Sequence, residues 1–92
     1  MRAIWSPRAR AELRDYVVYF RERNAAAARR ASAELTEVGR KLGRNPYLGR
    51  PGQREGEREF SVADWHKVIV YKVSANQIVI SPLRDTRMQN TD

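Results

Sequence analysis

The sequence contains no cysteine and a single histidine, His66. Neither a disulfide framework nor a metal cage built from thiolates and imidazoles is therefore available, and we predict no cofactor. No apolar run approaches the roughly 18 residues that a membrane span needs, and the N-terminus lacks a signal-peptide pattern. We therefore expect a soluble cytoplasmic protein that does not associate with membranes. The 92 residues are enough for one modest hydrophobic core, which predicts a single domain over residues 1–92.

Positive charge is plentiful, with a formal net charge of +7. Its distribution is uneven: residues 40–58 carry six basic and two acidic side chains, whereas residues 59–92 carry four of each. The excess is concentrated where Gly and Pro residues predict a long loop over residues 44–57. A local basic patch favours an anionic partner, either a nucleic acid or an acidic protein. A basic surface whose only effect is solubility is the simpler alternative.

Two helices are predicted in the N-terminal half. Ser6 offers an N-cap oxygen and Pro7 suits the first helical position, so a helix is expected from Pro7 to about Arg23. Asn24 can cap a second, alanine-rich helix that Gly43 would end. The connection between the two helices is so short that they must form an antiparallel hairpin.

Strands are predicted before and after this hairpin. Residues 2–5 form a short N-terminal strand candidate, and alternating or continuous apolar residues predict strands over residues 59–62, 67–73 and 77–83. Short connections between the last three favour an antiparallel meander. The predicted fold class is α+β, with the N-terminal strand and the helical hairpin packed on a small antiparallel sheet.

The helical hairpin covers only one face of this sheet. We therefore expect the side chains that point the other way to leave an apolar area exposed as a binding surface, unless the loop or the C-terminal tail covers it. These side chains are Val68, Val70, Val79 and Leu83. Tyr19 falls outside the apolar stripe of the first helix and is a further candidate for contact with a partner.

The order of these segments resembles the ParE/RelE superfamily of toxins from bacterial type II toxin–antitoxin modules. The matching features extend over nearly the whole chain, in this order: Trp5-Ser6-Pro7-Arg8-Ala9, the alanine-rich helix after Asn24, Pro46 with Gly49-Arg50, Gly56-Glu57-Arg58-Glu59-Phe60, Val68-Ile69-Val70-Tyr71, and Arg84 with Arg87. The resemblance implies a helical hairpin on a small sheet, and a toxin that forms a hetero-oligomer with an acidic ParD- or RelB-like antitoxin. It leaves the target open, because RelE-like members cut mRNA on the ribosome whereas ParE-like members poison DNA gyrase.

The residues themselves favour the ParE-like branch. The nucleases that the chain resembles carry an arginine where this sequence has Val68, and a tyrosine or histidine near the C-terminus, where this sequence reads Met88-Gln89-Asn90-Thr91-Asp92. RNA cleavage would also need a general base and a general acid besides cations. If the chain is a nuclease, its catalytic candidates are Arg58, His66, Arg84 and Arg87.

On the ParE-like reading the chain has no catalytic residues, and Arg50, Arg58, Arg84 and Arg87 bind the antitoxin or the target. For Arg58, a structural ion pair and a functional contact are equally favoured interpretations. The glutamates beside the loop, Glu55, Glu57 and Glu59, are expected to form ion pairs and not to act as general bases. A non-toxic basic adaptor is a third alternative.

Overall fold

The computed structural model describes residues 1–85. The two helices are α1 (Pro7–Arg21) and α2 (Ala25–Arg44). The strands are β1 (Arg2–Trp5), β2 (Arg50–Pro51), β3 (Glu57–Val62), β4 (Lys67–Val73), β5 (Gln77–Ile80) and β6 (Arg84–Asp85). A single 3-10 turn, Ala63–Trp65, connects β3 to β4. Neither helix of this part of the chain is long and apolar enough to cross a membrane.

Both helices begin where their capping residues predict. Ser6 Oγ accepts a hydrogen bond from Ala9 N at 3.1 Å, and Pro7 occupies the first turn, where its missing N–H leaves no backbone group unpaired. Asn24 Oδ1 accepts from Ala27 N at 3.0 Å and starts α2. Because only three residues separate the helices, they pack against each other as the expected hairpin.

Gly43 does not cap α2, and this prediction was wrong. The helix continues to Arg44 and Asn45 is its C-cap. Gly43 is buried against β1, where an added Cβ would lie 2.7 Å from the carbonyl oxygen of Met1. Glycine is therefore needed here for the close approach of helix and strand, and not for a left-handed cap conformation.

The sheet has the order β1-β5-β4-β3-β2, with β6 pairing to β4 beyond the end of β5. The pairs β3–β4 and β4–β5 are antiparallel, as their short connections predict. The α+β class and the two helices on a sheet are thus confirmed. The sheet is mixed, however, because β1 runs parallel to β5, with Ile4 opposite Val79. The connection between these two strands contains both helices, and spacing along the sequence did not fix where β1 would pair.

Two irregular segments differ from the predicted strands and loop. The last predicted strand, over residues 77–83, ends at Ile80. Strand pairing with β4 resumes at Arg84. Between Ile80 and Arg84, Ser81 N still donates a hydrogen bond to Val70 O at 2.8 Å. The predicted long loop is also shorter, because Arg50–Pro51 forms β2 against β3.

The main core lies between the helices and one face of the sheet. Ile69 and Tyr71 of β4 and Ile78 and Ile80 of β5 are fully buried against Leu35 and Leu42 of α2. Burial of such aliphatic side chains contributes about 1.5–3 kcal/mol each. A second cluster surrounds Trp65, whose ring packs edge-on against Phe20 and whose Nε1 donates to Glu34 Oε1 at 2.7 Å. These contacts fix the 3-10 turn to the helical hairpin.

Candidate binding face of the sheet

The face of the sheet opposite the helices carries two arginines and one buried glutamate. Residues opposite each other in neighbouring strands point to the same side. Glu59 lies opposite both Arg50 and Val70, while Arg84 lies opposite Val68. Since Ile69 and Tyr71 of β4 point toward the helices, these residues point away from them. We call the surface formed by Arg50, Glu59 and Arg84 the basic face.

Glu59 connects the two arginines. Its Oε1 accepts from Arg50 Nη2 at 3.2 Å, and its Oε2 lies 2.9 Å from Arg84 Nη2. The Glu59 side chain is 5% exposed, whereas those of Arg50 and Arg84 are 64% and 45% exposed. The contact with Arg84 is an ion pair, because Oε2 has no aligned hydrogen-bond donor among residues 1–85. Three strands, β2, β3 and β6, are joined through this one carboxylate.

The neighbouring charges decide the protonation state of Glu59. The Arg84 guanidinium, supported by that of Arg50, lowers the pKa of the carboxyl group below its usual value of 4.5, although burial acts in the opposite direction. Glu59 is therefore ionised at neutral pH. Its negative charge offsets about one of the two guanidinium charges and holds both side chains in place.

Arg50 reaches this position because a buried hydroxyl group fixes the preceding loop. The hydroxyl of Tyr71 donates to Pro46 O at 2.7 Å and accepts from Gly49 N at 3.0 Å. A Cβ on Gly49 would lie 2.6 Å from this hydroxyl and also 2.6 Å from Glu59 O, so the close approach requires glycine. The loop therefore enters β2 in a defined register.

The Arg58 side chain contacts the loop before β2 and lies outside the basic face. It lies opposite Tyr71 and so points toward the helix side of the sheet. Its Nε and Nη2 donate to Gly49 O at 3.0 and 2.6 Å, and its guanidinium stands 5.1 Å from the centre of the Tyr47 ring. Arg58 thus contacts a carbonyl group and an aromatic ring, and not the carboxylate that the structural interpretation of the sequence predicted.

The expected exposure of the apolar face is wrong at Val68 and Val70. Val68 and Val70 are only 4% and 7% exposed, and they lie on the same side as the Glu59 side chain. Leu83 packs on the main core. Val79 and Leu83 are both half-buried, and Val79 lies opposite Lys72 on the side away from the helices. The valines are therefore part of the support for the basic face, while the polar side chains form its surface.

Tyr19 lies in a separate groove between α1 and the segment before β6. Its side chain is 51% exposed and the Arg23 guanidinium stacks 3.7 Å from the ring centre. The groove has a volume of about 570 Å³ and is lined by Glu12, Asp15, Tyr16, Tyr19, Lys67, Leu83 and Arg84. Glu12 Oε1 accepts from Leu83 N at 2.8 Å, which attaches the segment to α1. Arg84 is therefore shared between this groove and the basic face.

His66 is exposed and has a left-handed backbone conformation, with φ of 54°, directly before β4. It follows the turn that joins Val62 to Lys67, whereas Arg58 lies four residues further along β3. Arg58 pairs with Tyr71, which is five positions after His66, so at about 3.3 Å per residue the two residues lie roughly 16 Å apart along the hairpin. Two of the nuclease candidates are thus at opposite ends of one hairpin, and Arg87 lies outside the described residues.

The sequence analysis identified Arg50 and Arg84 as candidates but did not identify the glutamate that contacts both of them. Glu59 was expected only to form an ion pair, which it does, and nothing indicated that it would contact two arginines from distant segments. The sequence pattern places Tyr71 in an apolar strand and gives no sign that its hydroxyl group fixes a loop. The available signal was a glutamate alternating with Phe60 in a short strand, which placed its carboxylate on the side away from the helices. No group of three potential metal ligands occurs among residues 1–85.

Comparison with known proteins agrees with this architecture. The family model of the ParE toxin of the type II toxin–antitoxin system, parDE, matches residues 3–90. Among solved structures, a chain described as the chromosomal ParDE toxin–antitoxin system from P. aeruginosa superposes with a TM-score of 0.80. The two sequences are 22% identical, and the match covers 92% of this chain and 95% of that one. That likeness concerns the fold. No curated protein gives a significant match. On the family match over residues 3–90, the chain belongs to the ParE toxin family of type II toxin–antitoxin systems.

Proposed function

We propose that this toxin is neutralised by a cognate acidic antitoxin of the ParD or RelB kind, and that the free toxin inhibits DNA gyrase in the bacterial cytoplasm. Family membership supports the existence of an antitoxin partner. The observation that carries the proposal is the basic face, where Arg50 and Arg84 surround one buried carboxylate. Toxin and antitoxin would then form a hetero-oligomer in which acidic side chains of the antitoxin meet these arginines.

The geometry of the two arginines suits carboxylates. A guanidinium group has five N–H donors in a planar fork, and each arginine uses Nη2 toward Glu59. Both side chains are exposed, at 64% and 45%, and the planar fork of a guanidinium matches the two oxygens of an incoming carboxylate. Because Glu59 already holds both side chains, little rotamer entropy remains to be lost when a partner binds.

Inhibition of gyrase is favoured over RNA cleavage by the arrangement of the nuclease candidates. Cleavage requires a base, an acid and phosphate-binding cations around one phosphodiester. His66 and Arg58 lie at opposite ends of the β3–β4 hairpin, and the donors of Arg58 face Gly49 O. A toxin that acts by binding to another enzyme needs no such constellation. Ribosome-dependent mRNA cleavage and a non-toxic adaptor are the outcomes that would contradict this proposal.

The antitoxin contact is tested by replacing Arg50. We expect Arg50→Gln to weaken binding of the cognate antitoxin about tenfold or more, because one charge-assisted hydrogen bond is lost at about 1.5 kcal/mol or more. Arg50 is 64% exposed and Arg84 still accompanies Glu59, so the fold should persist. The affinity is measured by isothermal titration calorimetry at physiological salt.

Arg44→Gln is the matched control, because Arg44 is 66% exposed and also pairs with a glutamate, Glu37, at 3.3 Å. It removes the same charge at the end of α2. An antitoxin affinity that is unchanged in Arg50→Gln, or lowered equally in both variants, would contradict a role for the basic face.

A further inference from the structure

We infer that Glu59 determines which class of partner the basic face accepts: it keeps Arg50 and Arg84 available to carboxylates of a protein and prevents the face from binding the phosphates of a nucleic acid. This inference rests on the proposed function, since it concerns the same arginines. It adds a role for a residue that otherwise has only a structural one. It also addresses why a protein with a net charge of +7 would act through a protein target.

The local charge of the basic face disfavours a nucleic acid. A nucleic acid binds through several uncompensated cations along its backbone, and each neutralised phosphate releases counterions. At the basic face one of two guanidinium charges is already balanced by a carboxylate that stays ionised in its 5%-exposed position. The basic face therefore carries a net charge of about +1, whereas its two arginines alone would give +2.

The geometry of the contacts with Glu59 favours a carboxylate partner. Glu59 contacts Nη2 of Arg50 through Oε1 and Nη2 of Arg84 through Oε2, so each guanidinium lies against a separate oxygen of the carboxylate. A carboxylate can pair side-on with the free edge of a single guanidinium, and this contact depends on direction more than on total charge. The affinity of a protein for a phosphodiester backbone depends mainly on the number of cations that contact the phosphates. Fixed arginines with a reduced net charge thus favour the carboxylate.

A second glutamate in the chain provides a natural control for Glu59. Glu37 also contacts two arginines, Arg40 and Arg44, at 3.2 and 3.3 Å. In contrast to Glu59 it is 56% exposed and lies on α2. Replacing either glutamate by glutamine changes the net charge of the protein by the same amount. Any difference between the two variants therefore reports the position of the charge and not the total.

The test measures binding of a short fluorescent single-stranded RNA and of a labelled peptide with several spaced glutamates. Glu59→Gln should raise the RNA affinity about eightfold at about 50 mM salt, which corresponds to one additional phosphate contact with a salt slope of about 0.7. The affinity for the peptide should change less than twofold, because the gain in charge is opposed by the loss of fixed guanidinium directions. Glu37→Gln should leave both affinities near those of the wild type.

A second pair of variants covers the case in which Glu59→Gln does not fold. Ser61 is exposed and shares the side of Glu59 on β3, so Ser61→Lys adds a charge beside the arginines without disturbing the buried carboxylate. It should also raise the RNA affinity several-fold, whereas Ala33→Lys on the exposed side of α2 should not. Equal effects of the paired variants, or equal gains for RNA and peptide, would overturn the inference. These results leave the antitoxin and gyrase measurements unaffected, so the proposed function succeeds or fails separately.

Discussion

The hydroxyl group of Tyr71 is the contact through which the loop before β2 depends on the core. Tyr71 is fully buried, and its hydroxyl makes two hydrogen bonds, to Pro46 O and from Gly49 N. The variant Tyr71→Phe keeps the ring and removes only this oxygen. Both backbone groups then lose their partner, and Gly49 N is buried. At about 1 kcal/mol for each hydrogen bond, with a further cost for an unsatisfied buried donor, we expect a loss of about 2–3 kcal/mol in the free energy of unfolding.

This loss is large for a domain of this size. A change of about 1 kcal/mol lowers the melting temperature of a 60–100-residue domain by roughly 4–8 °C, so Tyr71→Phe should lower it by at least about 8 °C. Urea denaturation followed by circular dichroism gives the free energy, and a thermal scan gives the melting temperature. Because the loop leads into Arg50, the folded variant should also bind the antitoxin more weakly.

The control is Tyr47→Phe, which removes the same atom from a side chain that is 65% exposed in the same loop. Its free energy of unfolding should stay within about 0.5 kcal/mol of the wild type. If the free energy of unfolding of Tyr71→Phe also stays within that limit, the hydroxyl group does not hold the loop. The claim that it positions Arg50 would then be wrong.

Two further predictions concern Gly43 and Glu59. Gly43→Ala should destabilise the protein by about 1–3 kcal/mol in urea denaturation, although alanine is the better helix former, because the added Cβ meets Met1 O at 2.7 Å. Gly39→Ala should cost less, since its Cβ meets the movable Trp5 side chain at 3.1 Å, and a larger loss at Gly39 would contradict this. The pKa of Glu59 is lowered from 4.5 in the folded state, so its stabilising effect is present above that pH and is lost as the pH falls through the folded-state value. The difference in free energy of unfolding between wild type and Glu59→Gln should therefore shrink from pH 7 to pH 3, and a constant difference would show that the ion pairs contribute nothing.

The elements of the fold that depend on local chemistry were predictable from the sequence. The caps at Ser6 and Asn24 place both helices, and strand β4 follows from its β-branched residues. The parallel pairing of β1 with β5 was not predictable, because it depends on how two helices fold back over the sheet. Gly43 was misread for the same reason: a glycine at a helix end predicts a cap, and only the packed strand reveals the close contact.

The candidate site was predictable only as a set of cations. Its assembly depends on a pairing register that brings Arg50 and Arg84, which are 34 positions apart in the sequence, to the two oxygens of Glu59. Arg58 precedes Glu59 directly, yet the alternation of side chains along β3 sends it to the other face. Proximity in sequence is therefore misleading here, because a shift of one residue decides whether a β3 side chain contacts the loop before β2 or lies in the basic face.

The most direct test of the proposed function uses the purified toxin alone in two parallel assays. One follows supercoiling by DNA gyrase together with trapped cleavage complexes, and the other follows mRNA integrity in a translating extract. We predict inhibition of gyrase while the mRNA stays intact. Codon-phased mRNA cuts with unaffected gyrase would contradict the account, and the proton transfers would then have to be sought near His66 and the arginines of the basic face.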